Sequence, residues 1–392
     1  MHVAIDLFIA EKEPGDMLFA TRALLDGLSR IDRANEYSII TSRPKEYQAL
    51  ALAPNMHIYP VKLHSWHGIL IQHQLHLPQI VRQIQPDVLH VPAFAAPIGW
   101  NGPMVMTVHG LGFLGMPRQT SLYAQLYWRY MLRESVRRAQ RIIVSSEQTR
   151  EELASYWSVE RERIRLIHNA LRPSLRSDRI STEEIQAMRN RVGGNYLLHA
   201  GRIMPSKNVE TLVKAFELLA PRFEDLSLVL TGGLGYGSAG IIQQIETSSY
   251  RRRIHLIDWV SEEQLGPLYA GASALVFPSR HENFGLPTVE AMACGTPVVA
   301  SPEAASVEIA GEAVLRTDCS NPTHLADAIT QVLLDEALRK RLIQFGHVQA
   351  KSFTSEACAH MTLQIYQEAL ALSTQGRSLQ KSNERLTIHT HS

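Results

Sequence analysis

The chain has 392 residues, 45% of them hydrophobic and 20% charged, with 39 Lys+Arg against 38 Asp+Glu. That length supports two or three domains, each able to bury its own core, so a small cross-linked scaffold is excluded. A formal net charge of +1 removes the whole-chain electrostatic case for a nucleic-acid binder, and so large an apolar fraction is incompatible with a disordered chain.

The opening segment MHVAIDLFIAEKEPGD carries Asp6 inside its apolar run and no basic stretch before it, so it reads as a first strand and not as a signal peptide. Short β-branched runs then alternate with helical stretches. Strands are expected at HVAIDLF, YSIIT, MHIYPV, DVLHVP, MVMTVH, RIIVSS and IRLIH, with helices such as DMLFATRALLDGLSR and SEQTREELASYW between them. That alternation points to a parallel sheet covered by helices on both faces. One helix, LYWRYMLRESVRRAQR, is expected to set Arg129, Arg133, Arg137 and Arg141 four residues apart as a basic stripe, suited to plain solvent or to an anionic acceptor or lipid surface.

The polar, turn-rich segment RPSLRSDRISTEEIQAMRNRVGGN reads as a linker around a short helix. A second set of strands follows at YLLHA, LSLVLTG, RIHLID, ASALVFP, TPVVAS and AVLR. The reading is therefore α/β throughout, with a first domain over 1–175, a second over 190–354 and a last helix over about 355–372. That helix carries Ala359, Leu363, Tyr366 and Leu370 on one face, and residues 373–392 read as a mobile tail. Residues 1–180 hold 21 Lys+Arg and 16 Asp+Glu, leaving 18 and 22 for residues 181–392, so a basic half precedes an acidic one.

Cys294, Cys319 and Cys358 lie far apart and form no CxxC, which leaves nothing for a disulfide framework or a structural zinc site and fits a reducing compartment. No 18-residue apolar stretch occurs; VPAFAAPIGW is broken by Pro92 and Pro97. The expected location is cytoplasmic, compatible with peripheral attachment to the inner face of the plasma membrane.

The most informative stretch is FPSRHENFGLPTVEAMACGTPVVAS. A strand ending at Phe277 and Pro278 leads through a loop to a helix with Pro287 at its start, a position proline favours. Glu282 then lies in the loop and Glu290 one turn inside the helix, both bordering the carboxyl end of a parallel strand, where ligands of such sheets bind. Exposed N–H groups at the helix start suit an anion, and Gly285 permits close backbone approach. Carboxylates beside an anion site make sense when the ligand also carries hydroxyls.

These residues resemble the family 4 retaining glycosyltransferases of the GT-B class, which carry two glutamates separated by seven residues in a stretch similar to E(G/N)FGLPxxEAMAxGxPVVAS. LHAGRIMPSKNVETLVKAFELL looks like the family's phosphate-binding element, DWVSEEQLGPLYAGASALVFPS like the segment before the glutamates, and IRLIHNALRP like the end of its first domain. The resemblance implies two Rossmann-like domains facing each other across a cleft, with the C-terminal helix crossing back to the first. It implies transfer of a hexose from a nucleotide-diphosphate sugar, GDP-mannose or a UDP-hexose, to a hydroxyl of a glycan or lipid-linked acceptor, with retention and without metal or other cofactor. A DxD triplet is absent from the sequence. Arg202 and Lys207 are implied to hold the diphosphate, aided by the backbone of Asn283, Phe284, Gly285 and Leu286. Glu282 would accept from the transferred sugar and Glu290 from the ribose. His109, ending MTVH, would contact the sugar; the backbone of Trp259 and Val260 would meet the base, and the loop at Gly233 would lie near the nucleotide. Where the family has a glycine-rich loop, this chain has EKEPGDM with Gly15 as its one glycine, which leaves the acceptor side, together with Arg129 and Arg133, less defined.

GGLGYGSAG contains a formal GxGxxG in Gly235, Gly237 and Gly240, with Asp258 at the distance of a ribose-binding acid, but the first glycine comes three residues past the end of its strand. Two other readings remain open at this point: a sugar-nucleotide epimerase on the same double fold, and a non-catalytic nucleotide-binding protein.

Overall fold

The computed structural model describes the chain apart from residues 12–14, 49, 51–52, 63–68, 112–121, 173, 176, 303–304 and 390–392. It divides into two compact units, one of Met1–Ala170 with Ser355–Ser392 and one of Leu171–Thr354.

In the first unit the chain runs β1 (His2–Asp6), α1 (Asp16–Ile31), β2 (Glu36–Thr41), β3 (Met56–Pro60), α2 (Ile69–Ile84), β4 (Val88–Val91), β5 (Met104–Val108), α3 (Leu122–Arg138), β6 (Arg141–Val144), α4 (Glu147–Trp157) and β7 (Ile164–Leu166). The seven strands form a parallel sheet in the order β3-β2-β1-β4-β5-β6-β7. All five residues of β5 are buried, as expected of a strand covered on both faces.

In the second unit the elements are α5 (Thr182–Arg191), β8 (Asn195–Ala200), α6 (Val209–Leu219), β9 (Leu226–Thr231), α7 (Ser238–Thr247), β10 (Ile254–Ile257), α8 (Glu262–Ala270), β11 (Ala274–Phe277), α9 (Leu286–Ala293), β12 (Val298–Ala300), α10 (Ala305–Ala310), β13 (Val314–Arg316), α11 (Pro322–Leu334) and α12 (Glu336–Ala350). Its six strands are parallel in the order β10-β9-β8-β11-β12-β13. Both sheets reverse their strand order once, at β1/β4 and at β8/β11, and at such a reversal the loops leaving neighbouring strands diverge and open a crevice at the carboxyl ends. All thirteen strands expected from the sequence are present.

The last helix, α13 (Ser355–His389), packs on the first unit. Ala359, Ile365, Tyr366 and Ala369 join the buried cluster around β1, β2 and α1, with Leu363 and Leu370 against it. Gly27 of α1 makes the contact possible: a Cβ there would stand 2.1 Å from the carbonyl oxygen of Ser355. Glu368 accepts from Arg141 Nε at 2.6 Å and Arg165 Nη2 at 2.8 Å, tying α13 to β6 and β7.

Three readings from sequence need correction. Arg141 does not continue the basic stripe. α3 ends at Arg138, Gln140 N–H turns to the Met104 carbonyl and carries the chain into the sheet, and Arg141 opens β6. Residues 171–194 are not a linker outside the second domain, because Leu171, Leu175, Met188 and Val192 are buried in that unit's core and a Ser181–Glu184 capping box starts α5. The chain past Ser373 does not leave the helix there, since α13 is described through His389.

Gly27→Ala should lower stability by about 1 to 3 kcal/mol, because the added methyl meets backbone and not a movable side chain. Thermal or urea unfolding checks this; an unchanged midpoint would mean that α1 and α13 are not held this closely.

Candidate active site

At the β8/β11 reversal, two loops carry the residues singled out from the sequence. The loop after β8 runs through Gly201 and Arg202 into a 3-10 turn, Pro205–Lys207, that precedes α6. The loop after β11 holds Arg280 to Gly285 and ends at α9. The two are laced together: Arg280 N–H donates to the Ser206 carbonyl at 3.0 Å and its Nη1 to the Pro205 carbonyl at 2.9 Å. Lys207 Nζ pairs with Glu282 Oε2, 75 residues away in sequence, and stands over the Phe277 ring at 5.6 Å from its centre. Glu282 is only 3% exposed, and that ammonium is the cation paired with it. Arg202 is partly exposed on the same loop as Lys207.

Gly285 sits at the N-cap of α9 with φ 85°, a left-handed conformation that suits glycine, and Leu286 and Pro287 form the first turn. Phe284 anchors this turn in the core, edge-on to Phe353 at 6.0 Å. The Asn283 side-chain oxygen is buried without a hydrogen-bond partner, as is the Ser279 hydroxyl. Glu290 is buried and engaged by protein groups: its Oε2 accepts from the Tyr269 hydroxyl at 2.7 Å, and its Oε1 is 3.3 Å from Arg172 Nε. Burial and the neighbouring carboxylate push the Tyr269 hydroxyl far above the usual phenol range, so it remains a donor. Neither Tyr269 nor Arg172 stood out in the sequence, because nothing local links them to the glutamate.

On the other side of β8, Ile203 and Leu234 form a parallel bridge that extends sheet pairing beyond β9. Gly232 is required by close approach, since a Cβ there would lie 2.4 Å from the Gly201 carbonyl oxygen; a Cβ on Gly233 would press on the Trp259 side chain, 2.7 Å from Nε1. Trp259 is about half exposed and Val260 packs on the core. Gly235 lies four residues past the end of β9 and Gly237 caps α7, so the tight strand-to-helix turn of a dinucleotide fingerprint is not formed. Asp258 spends one carboxylate oxygen on the Trp259 N–H, at 2.8 Å.

In the first unit, His109 follows β5 and is buried with neither ring nitrogen hydrogen-bonded. Burial pushes its pKa down to about 4, so the ring is neutral near pH 7 and can both donate and accept. In the acidic loop near Gly15, the carboxylate that is described, Glu11, faces inward. Glu11 is fully buried, accepting from the Thr41 hydroxyl and from Ser42 N–H and hydroxyl, which ties the loop to the end of β2. Gly15 caps α1 in extended backbone. Of the histidine pairs seen in the sequence, His64 and His67 lie outside the described residues; His73 is buried against Asp6 at 2.7 Å, and His76 is exposed. On α3, Arg129, Arg133 and Arg137 are exposed, with Leu126 and Tyr130 exposed beside them. Among the described residues no three His, Cys, Asp or Glu side chains cluster as metal ligands, and no helix is long and apolar enough to cross a membrane.

The family model for glycosyl transferases group 1 matches residues 181–349, and the model for glycosyltransferase family 4 matches residues 21–175. Between them they take in both units. The chain is a family 4 glycosyltransferase. The O-antigen chain mannosyltransferase B of Escherichia coli is 29% identical to this glycosyltransferase over 289 residues, covering 73% of this chain and 75% of that one. The O-antigen chain mannosyltransferase RfbU of Salmonella typhimurium is 29% identical over 196 residues, about half of each chain (50% and 51%). The crystal structure of Anabaena HepE in complex with UDP-glucose superposes with a TM-score of 0.73 at 18% identity, covering 95% of this chain and all of that one, which shows a shared GT-B fold.

Three histidines of the glycosyltransferase are kept neutral by burial: His90, pushed down to about 3, and His109 and His199, each to about 4, from an ordinary value of 6.5. Below pH 6.5 the unfolded chain takes up protons that the native protein does not. Stability should therefore hold above about pH 6.5 and fall as pH drops toward 4, by up to about 1.4 kcal/mol per pH unit for each histidine. Urea unfolding at pH 7.5 and 5.5 tests this. His109→Phe should shrink the difference, and an equal slope in that variant would contradict the assignment.

Proposed function

We propose that this glycosyltransferase moves a hexose of mannose or glucose type from a nucleotide-diphosphate sugar to a hydroxyl acceptor, with retention of configuration, in building a polysaccharide, O-antigen or glycolipid. The observation that carries the reading is the Lys207–Glu282 pair at the β8/β11 crevice, with Arg202 on the same loop. Breaking the glycosidic bond to a diphosphate builds negative charge on the leaving group while the sugar becomes oxocarbenium-like. Fixed cations at the leaving oxygens stabilise that charge. Arg202 can fork onto two phosphate oxygens and Lys207 adds a compact charge, so no metal is needed in this scheme. A donor arriving in the crevice would draw Lys207 toward phosphate and free Glu282 to accept from a sugar hydroxyl. On the first unit, the unmet imidazole of His109 suits a further sugar hydroxyl.

The donor base is read from the relatives as guanine for a mannosyl donor or uracil for a glucosyl one: the two curated relatives are named mannosyltransferases and HepE was solved with UDP-glucose. The acceptor is a glycan or lipid-linked glycan. The leaving phosphate, not an enzyme carboxylate, is proposed to assist deprotonation of the acceptor on the same face as departure.

Arg202→Ala or Lys207→Ala should each lower kcat/KM by about two to three orders of magnitude, corresponding to about 3 to 4 kcal/mol of lost transition-state stabilisation. Transfer from radiolabelled GDP-mannose and UDP-glucose to membrane-extracted acceptor, with and without EDTA, measures it. Full activity in either variant would remove that residue's role, and loss of activity with EDTA would remove the metal-free scheme.

The exposed row of Arg129, Arg133 and Arg137 beside Leu126 and Tyr130 supports peripheral contact with an anionic membrane surface. Replacing the three arginines with Gln should weaken co-sedimentation with phosphatidylglycerol vesicles, by about 1 kcal/mol per charge, and leave nucleotide affinity unchanged. Undiminished vesicle binding would reduce the row to a solvated helix face.

A further inference from the structure

His199 lies on β8, one of the two strands that flank the crevice, and is fully buried. Its ring stacks on Phe277 at 6.3 Å and 21°, the same ring over which Lys207 Nζ stands at 5.6 Å. Nδ1 is 3.2 Å from the Val276 carbonyl oxygen. A carbonyl only accepts, so the ring proton is on Nδ1 and Nε2 presents a lone pair. No hydrogen-bond donor reaches that nitrogen. A Cβ on Gly201 would stand 3.8 Å from it, so this nitrogen lies close to the start of the turn that leads to Arg202 and Lys207.

A leucine or phenylalanine would fill this space without leaving a buried acceptor dry, and the unfilled acceptor is a cost that a donor bound in another state can offset. Diphosphate oxygens at neutral pH have no proton to give it. The Lys207 ammonium has three hydrogens and is the nearby cation whose field already lowers the His199 pKa. We propose that His199 is a positioning residue for Lys207: when Glu282 turns to the sugar, the His199 lone pair takes a Lys207 hydrogen and holds the ammonium on the diphosphate. Neutrality of the ring is essential to this role, since an imidazolium would repel the lysine.

The proposal rests on the donor reading above, and nucleotide binding separates the two. His199→Phe keeps a flat ring against Phe277 and removes the lone pair; His199→Gln returns an acceptor oxygen at the same reach. By calorimetry with GDP and with UDP, His199→Phe should weaken whichever nucleotide the wild type binds by about tenfold, and His199→Gln should recover most of it. In a Lys207→Met background, His199→Phe should have no further effect, because the two act as one unit. Losses that add in full, or a His199→Phe variant that binds normally and shows only a lower unfolding midpoint, would overturn the role of His199. A wild-type protein that binds neither nucleotide would overturn the donor reading and this proposal with it.

Discussion

Glu282 is a carboxylate almost wholly removed from water, and one lysine ammonium makes that tolerable. An isolated buried charge of this kind is unstable, whereas a paired one needs its partner delivered with little freedom. Delivery comes from the strand order. β8 and β11 are neighbours, so the loops leaving their carboxyl ends run side by side, and the two bonds from Arg280 to the Pro205–Ser206 backbone fix their separation. Arg202, Lys207, Glu282 and the α9 turn all inherit their positions from that single adjacency.

Two groups of buried polar residues contrast in how their atoms are partnered. Asp6, Glu11 and Glu368 are buried or partly buried carboxylates bound by protein donors, Glu368 through Oε2 alone, and each ties one element to another. His109, His199, Asn283 and Ser279 keep at least one buried atom without a partner, and they lie on strands or loops at the carboxyl ends of the two sheets. Satisfied groups hold a fold, whereas open ones at such an edge have hydrogen-bonding capacity left over.

α13 shows how a distant segment completes the first unit. Tyr366 is hydrogen-bonded to His90 Nδ1 at 2.7 Å, and His90 Nε2 to the Thr107 hydroxyl at 2.8 Å, so a residue from the end of the chain is bonded through β4 to the strand that precedes His109. Without that helix the buried faces of β1, β2 and α1 would be left uncovered.

Local chemistry told much of this in advance. Apolar runs of four to six residues, broken by turn residues and alternating with amphipathic stretches, determined thirteen parallel strands, and the glycine, proline and glutamate spacing around Glu282 pointed to a loop-to-helix turn at a strand end. Those are short-range signals, written within a few residues of where they act. Other outcomes were decided only by tertiary structure. Arg141 left the stripe because its segment pairs with β5 and its side chain meets Glu368; residues 171–194 joined a core because a few apolar side chains among many polar ones found partners. Whether a buried polar atom is satisfied, as at Glu11, or left open, as at His109 and His199, depends on which strands become neighbours. Strand order brings Lys207 to Glu282 across 75 residues, and no local pattern encodes that distance.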